Sequence, residues 1–332
     1  MTNTPQVNYR MLTPLIRIKI NTKQKIQFPL NNNLKIIIND STVFQQWNNA
    51  PLPDGKIIQM FPGMAGMSFN YNPLLFGLFS YVKDYPEDAT KTLDNLLKGF
   101  ALFKTTEQTK FKMGPRWVQT LTSTPLVVNV NIRGSDDWLE FTGKNYEMEL
   151  SELNEFRDFY ALLEPQLKMI TDRKFLQALE FFSKATRISD SVEKFVFLSV
   201  AFEFLFSKES DELSYRFSNR IALLLGSNSE DRKRIGKIVK NVIYSQRSKI
   251  IHGASVVPPP TDILQYFFEI MRVSLLRFTS LYHTKHVDPI SELDSFLLLQ
   301  DTAIYEKFSH DAKMLFDNIS NLQFYTTRTK IN

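Results

Sequence analysis

Residues 230–253 read EDRKRIGKIVKNVIYSQRSKIIHG, and this stretch predicts a long amphipathic helix with one strongly cationic face. Its apolar residues recur at i, i+3 and i+4, which is the spacing of a helix face buried against a core. They are Ile235, Ile238, Val239, Val242, Ile243 and Ile250. Between Arg232 and Lys249 the stretch carries seven basic residues and no acidic one. The opposite face is therefore expected to meet either solvent or a polyanion such as RNA.

The residues that follow and precede this stretch predict an all-helical second half. Glu230 and Asp231 fall in the first turn, where carboxylates complement the helix dipole, and Gly253 is placed to end the helix. Helical spacing of apolar residues continues in the other segments of this half. The predicted helices cover residues 151–163, 175–185, 192–206, 212–225 and 261–282, the first of them ending near Pro165.

The first half of the chain has a different texture and predicts a mixture of strands and helix. Residues 34–38 form a β-branched run that ends at Asn39 and Asp40, which is typical of a strand. Residues 124–132 alternate with period two and, with residues 138–142, predict a hairpin, whereas 88–103 has helical spacing. The predicted fold class is α+β, with a mixed α/β N-terminal module at 1–170 and an all-α helical domain at 171–332.

Composition excludes several classes of function. The 332 residues are 43% hydrophobic, so the chain can bury a core, and the absence of Cys excludes disulfides, iron–sulfur clusters and thiol nucleophiles. No segment has the length of a signal peptide core or a membrane span, so we expect a cytoplasmic protein without membrane contact. The net charge of +5 permits a polyanionic partner.

Arg247 and His252 are the candidate catalytic residues of the cationic stretch. The histidine can move a proton to or from a ribose oxygen, and the arginine can stabilise the charge of a scissile phosphate. DNA lacks the 2′-hydroxyl nucleophile, so this chemistry selects RNA and needs neither a metal nor a cofactor. On a straight helix the two side chains lie about 140° apart. Their convergence needs a frayed last turn at His252 or a second copy of the helix across a two-fold axis.

Other polar residues are candidates to support this site. Glu203 falls in a segment that is apolar nearly all round, so it is expected to be buried and paired, with Arg247 as first choice and Arg216 or Arg220 as competitors. The pair either orients Arg247 for catalysis or only joins two helices. Arg216 and Arg220 share a helix face and either line an RNA groove or pair with Glu209, Asp211 or Glu212. The remaining RNA-binding candidates are Lys237, Lys240 and Lys249. His283 and His286 lack a third ligand, so no metal site is predicted.

Three segments in this order resemble the ApeA-like HEPN family. They read KFVFLSVAFEFL at 194–205, RFSNRIALLL at 216–225 and YSQRSKIIHG at 244–253, and the resemblance covers about residues 170–285. It implies a helical bundle that dimerises. It also implies a metal-independent ribonuclease of prokaryotic defence or toxin–antitoxin systems.

The resemblance assigns roles to residues of the third segment. Arg247 and His252 correspond to the Arg-x4–6-His motif of the family, and Ser248 stands where Asn, Asp or His is usual. The implied partners are RNA, a second copy of the chain, and an antitoxin or a phage-derived trigger. The N-terminal module then acts as a sensor or recruiting domain. The alternative is a non-catalytic HEPN module that binds RNA, a nucleotide or a protein.

Overall fold

The computed structural model describes residues 7–16, 18–31, 34–38, 74–81, 87–104, 112–113, 116–120, 130–131, 146–188, 190–207, 214–226, 228–251, 258–285 and 288–299. The chain forms two compact units. The first comprises Met1–Asn95 and Thr109–Ala161, and the second, called here the helical unit, comprises Leu96–Gln108 and Leu162–Asn332. The domain boundary near residue 170 stays a prediction. The α+β class is confirmed, because the strands lie in the N-terminal part of the chain, with one helix at 87–103 among them, and the elements described from residue 150 onward are all helical.

The first unit contains a seven-stranded sheet in the order β3-β4-β5-β1-β7-β8, with β6 also pairing with β1. Every pairing in this sheet is antiparallel. Its longest strands, β1 and β5, pair from Val7 opposite Tyr81 to Pro14 opposite Leu74. The strands are β1 (Val7–Ile16), β3 (Ile26–Pro29), β4 (Leu34–Ile38), β5 (Leu74–Tyr81), β6 (Lys112–Met113), β7 (Arg116–Thr120) and β8 (Val130–Asn131).

Strand β4 confirms the strand predicted from its β-branched residues. Ile36, Ile37 and Ile38 are each at most 2% exposed, so both faces of its C-terminal end are covered. Of the predicted hairpin at 124–142, the described part is Val130–Asn131, which pairs with β7. The segment 138–142, expected to be its partner, lies outside the described residues.

A second, two-stranded sheet pairs β2 (Ile18–Asn21) with β9 (Tyr146–Glu149) in parallel. Strand β2 alternates buried and exposed residues, which is the pattern of a sheet with one face on the core. Strand β9 leads directly into α2, and Glu152 in the first turn of that helix accepts a hydrogen bond from the Glu149 N–H at 2.9 Å.

The helices carry the rest of the described chain. They are α1 (Glu87–Phe103), α2 (Leu150–Met169), α3 (Arg173–Ala185), α4 (Ser191–Phe206), α5 (Ser214–Leu225), α6 (Ser229–Ile238), α7 (Tyr244–Ile251), α8 (Thr261–Lys285) and α9 (Pro289–Leu299). Aspartates begin α3 and α4: Asp172 accepts from the Phe175 N–H and Asp190 from the Glu193 N–H. Among the helices of the described residues, none combines the length and apolar character needed to cross a bilayer.

Helix α2 differs from its prediction, because it continues through Pro165 to Met169. Proline removes one backbone donor and usually ends or kinks a helix. Here Leu163 and Leu167, on either side of the proline, are 1% and 5% exposed. Burial of these side chains outweighs the missing hydrogen bond, so the expected stop at Pro165 is wrong.

Phenylalanine rings form the core of the helical unit. Phe202 of α4 packs against Phe206, against Phe217 of α5 and against Phe267 of α8, with ring centroids 5.2–5.6 Å apart. Phe206 continues the cluster to Phe278 at 5.5 Å. Aromatic rings at these distances stabilise the contact beyond the area that they bury. The cluster holds α4, α5 and α8 together. Rings of this cluster line a recess together with Val239 and Ile243 of the cationic stretch.

Arginines fasten the C-terminal ends of several helices in this unit. Arg220 donates to the carbonyl of Phe206 at the end of α4, Arg272 to that of Leu102 at the end of α1, and Arg277 to that of Leu224 at the end of α5. The last carbonyls of a helix have no partner within the helix and carry the negative end of its dipole. Each guanidinium therefore satisfies an otherwise unpaired acceptor and neutralises partial charge at the same place.

Candidate functional site

The cationic stretch is helical but is interrupted by a π-turn, which the sequence did not predict. Residues Ser229–Ile238 form α6, Val239–Ile243 form the π-turn, and Tyr244–Ile251 form α7. The Tyr244 N–H donates to the carbonyl of Val239, five residues back. These three elements together are called the cationic helix below. Turns of this kind occur often at functional sites.

The π-turn keeps Arg247 on the buried side of the cationic helix. An α-helix turns about 100° per residue, so each step of four residues along one face adds a drift of about 40°, and three such steps add about 120°. Along Ile235, Val239, Ile243 and Arg247 this drift would move Arg247 away from the core. A π-turn closes its hydrogen bonds over five residues and rotates less per residue, which offsets much of the drift. Ile235, Val239 and Ile243 are all at most 9% exposed, and Arg247 continues their row.

Arg247 is held by two side chains. Its Nη2 donates to Oε1 of Glu203 on α4, which is the pairing expected from the sequence. Its guanidinium carbon lies 5.6 Å from the centre of the Tyr244 ring, one turn earlier on the cationic helix. A carboxylate partner and an aromatic face both favour a fixed, charged guanidinium. The position of Arg247 is therefore set by α4 and by its own helix together.

Glu203 is more exposed than the sequence predicted. Its side chain is 39% exposed and that of Arg247 is 23% exposed. The expectation of a buried glutamate is wrong because Glu203 lies at the mouth of a recess in the helical unit, so its carboxylate stays partly in contact with water.

Elements of the helical unit line this recess, and most of its wall is apolar. It encloses about 340 Å³, including the space that opens to solvent at its mouth. The lining side chains are Ser199, Phe202 and Glu203 of α4, Phe217 of α5, Val239 and Ile243 of the π-turn, Tyr244 and Arg247 of α7, and Phe267 of α8. An ion pair at the rim of an apolar recess acts in a less polar medium than water, which strengthens its field.

Burial lowers the pKa of Arg247 but does not remove its charge at neutral pH. Desolvation lowers the pKa of the Arg247 guanidinium from its ordinary value. The adjacent Glu203 carboxylate favours the charged form, and an arginine remains protonated at neutral pH in any case. Its Nε is buried and has no hydrogen-bond partner among the described residues. The guanidinium thus has a donor beyond the one that Glu203 occupies.

Lysines on the outer face of the cationic helix are exposed. Lys237, Lys240 and Lys249, the RNA-binding candidates on this helix, all face solvent, as do Lys233 and Arg234. In the first turn of the same helix lie Glu230 and Asp231, and Oδ1 of Asp231 is 3.8 Å from Arg234. The arrangement leaves a cationic surface on one side of the helix and Arg247 in the recess on the other.

Arg220 does not belong to this surface, so its assignment as an RNA-binding residue is corrected. It is 0% exposed and donates to both carboxylate oxygens of Asp294 on α9, at 2.7 and 2.8 Å. Its proposed partners Glu209, Asp211 and Glu212 lie outside the described residues. A buried guanidinium that is fully engaged by a carboxylate and a backbone carbonyl cannot contact RNA in this conformation.

Two of the predicted site residues, His252 and Arg216, are described only in part or not at all. His252 follows the last residue of α7 and lies outside the described residues, so its convergence with Arg247 stays a prediction. Arg216 lies on α5, but its side chain is outside the described part. Ser248 lies on α7 and is partly exposed. No cluster of three His, Asp or Glu side chains suited to a metal ion occurs in the described ranges.

Sequence reasoning assigned no role to Tyr244 or to the phenylalanines of the recess. The signal for Tyr244 was present, because an aromatic residue three positions before an arginine lies beside it on a helix. Phe202, Phe217 and Phe267 come from three different helices, so spacing along the chain could not bring them together.

No family model matches the chain, and neither the curated proteins nor the solved structures include a match to it.

Proposed function

We propose that the chain is a cytoplasmic, metal-independent endoribonuclease of HEPN type that acts as a homodimer. The observation that carries the proposal is the Arg247–Glu203 pair at the mouth of the recess, at the end of the cationic helix and five residues before His252 in the chain. A guanidinium with a defined carboxylate partner, five residues before the histidine in the sequence, supports the proposal. A role in prokaryotic defence or growth arrest is what the family resemblance adds.

Each part has a chemical task in this proposal. The exposed lysines attract the phosphate backbone of RNA, which gives affinity without sequence preference. Arg247 stabilises the charge that develops on the scissile phosphate through the N–H donors of its guanidinium, which is 23% exposed. His252 transfers a proton between the enzyme and the ribose or leaving oxygen. The products expected are a 2′,3′-cyclic phosphate and a 5′-hydroxyl end.

The test is cleavage of RNA in EDTA by the full chain and by matched variants. H252A and R247A are expected to lose cleavage by about 10²-fold or more. R173A is the control, because Arg173 is an exposed arginine at the start of α3, outside both the recess and the cationic helix. A wild-type chain that leaves every RNA intact, or an H252A variant that cuts at the wild-type rate, would refute the proposal.

The second candidate is a non-catalytic module that binds RNA. The exposed row of Lys233, Lys237 and Lys240 favours it, because such a row suits phosphate binding whether or not cleavage follows. This reading expects tight, salt-sensitive binding with the RNA recovered intact. Loss of each phosphate-contacting lysine should then reduce the slope of log K against log salt by about 1.

A further inference from the structure

The acid–base chemistry of RNA cleavage needs two proton carriers, and the proposed function assigns a proton-transfer role to one residue, His252. One group must accept the proton of the 2′-hydroxyl, and another must donate a proton to the leaving 5′-oxygen. Among the described residues that line the recess, one group is able to exchange a proton with substrate at neutral pH. This is the half-exposed carboxylate of Glu203.

The surroundings of Glu203 leave part of its carboxylate available. Oε1 accepts from Arg247, and among the described residues no donor contacts Oε2. The other ionisable group of the recess is Tyr244, next to Arg247 on α7, whereas the linings from α5, the π-turn and α8 are apolar. From α3, Lys174 reaches the carbonyl of Ser207, one turn beyond Glu203 on its helix. The carboxylate is therefore neutralised on one side and open on the other.

We propose that Glu203 is a catalytic residue, the general base of the reaction, and that His252 is its general acid. This rests on the proposed ribonuclease function. A carboxylate oxygen of Glu203 takes the proton of the 2′-hydroxyl while the 2′-oxygen forms a bond to phosphorus. The bond between phosphorus and the 5′-oxygen breaks, and that oxygen takes the proton of His252. Arg247, in contact with Glu203, stabilises the charge that develops on the phosphoryl oxygens.

The exposure of Glu203 separates this role from simple support of Arg247. A carboxylate that only orients an arginine is best placed away from solvent, where the ion pair is strongest. Glu203 instead opens to the same solvent as the mouth of the recess. Arg247 also keeps the Tyr244 ring as a second support, so positioning does not depend on the carboxylate alone.

The first experiment is the pH dependence of kcat/KM for RNA cleavage by the full chain. In the wild type the acidic limb is assigned to the carboxylate of Glu203, which must be ionised to accept a proton. E203Q is expected to lower kcat/KM by about 10²- to 10⁴-fold and to remove that limb. The control is E180Q, because Glu180 is also an ion-paired glutamate with 40% side-chain exposure but lies outside the recess. E180Q should keep the wild-type profile.

The second experiment uses an RNA whose scissile 5′-oxygen is replaced by sulfur, a leaving group that needs no protonation. H252A should cleave this RNA at close to the wild-type rate, whereas E203Q should remain slow. If E203Q keeps the acidic limb, or if the sulfur substrate rescues it as well as H252A, Glu203 is not the base. These outcomes differ from failure of the ribonuclease proposal itself, in which the wild-type chain cuts neither RNA.

Discussion

Replacing Arg220 with methionine removes a charge that is completely buried in the helical unit. Arg220 is 0% exposed and joins three elements, since it lies on α5 and donates to Phe206 at the end of α4 and to Asp294 on α9. Methionine fills most of the same volume, so the change tests the polar contacts more than packing.

The expected loss of stability follows from the groups left behind. Breaking a buried ion pair from one side costs about 3–5 kcal/mol, because the partner charge loses its compensation. Asp294 is 29% exposed, so water can solvate part of its carboxylate and the loss should fall near the lower end. The carbonyl of Phe206 loses a donor as well, which costs about 1–3 kcal/mol if no water replaces it. We expect a total of about 4 kcal/mol.

The assay is urea unfolding of the full chain followed by far-UV circular dichroism, which reports the helices. With a slope of about 2 kcal/mol per molar urea, the loss should lower the midpoint by about 2 M. R234M is the control: Arg234 is exposed, contacts Asp231 at 3.8 Å and should change stability by at most about 0.5 kcal/mol. A midpoint for R220M within 0.5 M of the wild type would refute the account of Arg220 as a buried fastening.

Three further changes test the helical unit and its ionisable groups. In thermal unfolding, G226A should destabilise the chain by about 1–3 kcal/mol, because a Cβ there would lie 2.6 Å from Arg232 Cγ and 2.7 Å from the Ala222 carbonyl oxygen. G236A, whose Cβ would have no neighbour closer than 3.7 Å, should be neutral or stabilising in that assay. F100A should lower the free energy of chemical unfolding by about 3–5 kcal/mol, because Phe100 is 0% exposed and lies in the part of α1 that belongs to the helical unit. Equal stability of F100A and the control T92A would contradict the burial of Phe100 in that unit. Burial, with Asp172 and Asp288 nearby, raises the pKa of Tyr282 above its ordinary value of 10.0, so the stability that it contributes is complete below about pH 10 and is lost as the pH rises further. Y282F should flatten this alkaline decline in the free energy of unfolding, and an unchanged decline would show that Tyr282 is not its cause.

Several helices could be predicted from the sequence because local signals agree with their final burial. The predictions for residues 175–185 and 192–206 come within two residues of α3 and α4, where apolar spacing coincides with Asp172 and Asp190 as N-terminal caps. The strand at 34–38 was equally clear, since its β-branched run has no helical periodicity.

The π-turn shows where local signals fail. The pattern of apolar residues in 235–250 also fits a regular α-helix, and only the repeated step of four from Ile235 to Val239 to Ile243 hints at a slower rotation. The choice between the two is made by tertiary packing, because the buried row must stay against the phenylalanine core. The face on which Arg247 lies could therefore not be fixed from its spacing.

Long-range pairing was predictable only where few partners compete. Glu203 had few cationic candidates, and the first choice, Arg247, is its partner. Arg220 pairs with Asp294, which is 74 residues away, and no pattern in the sequence links them. The exposure of Glu203 and the membership of residues 96–108 in the helical unit also depend on tertiary packing, which local sequence patterns do not show.

The arginines that fasten helix ends have a consequence for synthesis on the ribosome. The carbonyls at the ends of α1 and α5 are synthesised well before their donors, Arg272 and Arg277. Arg220 is likewise synthesised before Asp294, which neutralises its charge. A nascent chain that stops before α8 therefore holds unmatched carbonyls and an unmatched cation. Folding of this unit is expected to finish only when residues up to 294 have left the exit tunnel, so a stalled or prematurely terminated product should be a substrate for chaperones and proteases.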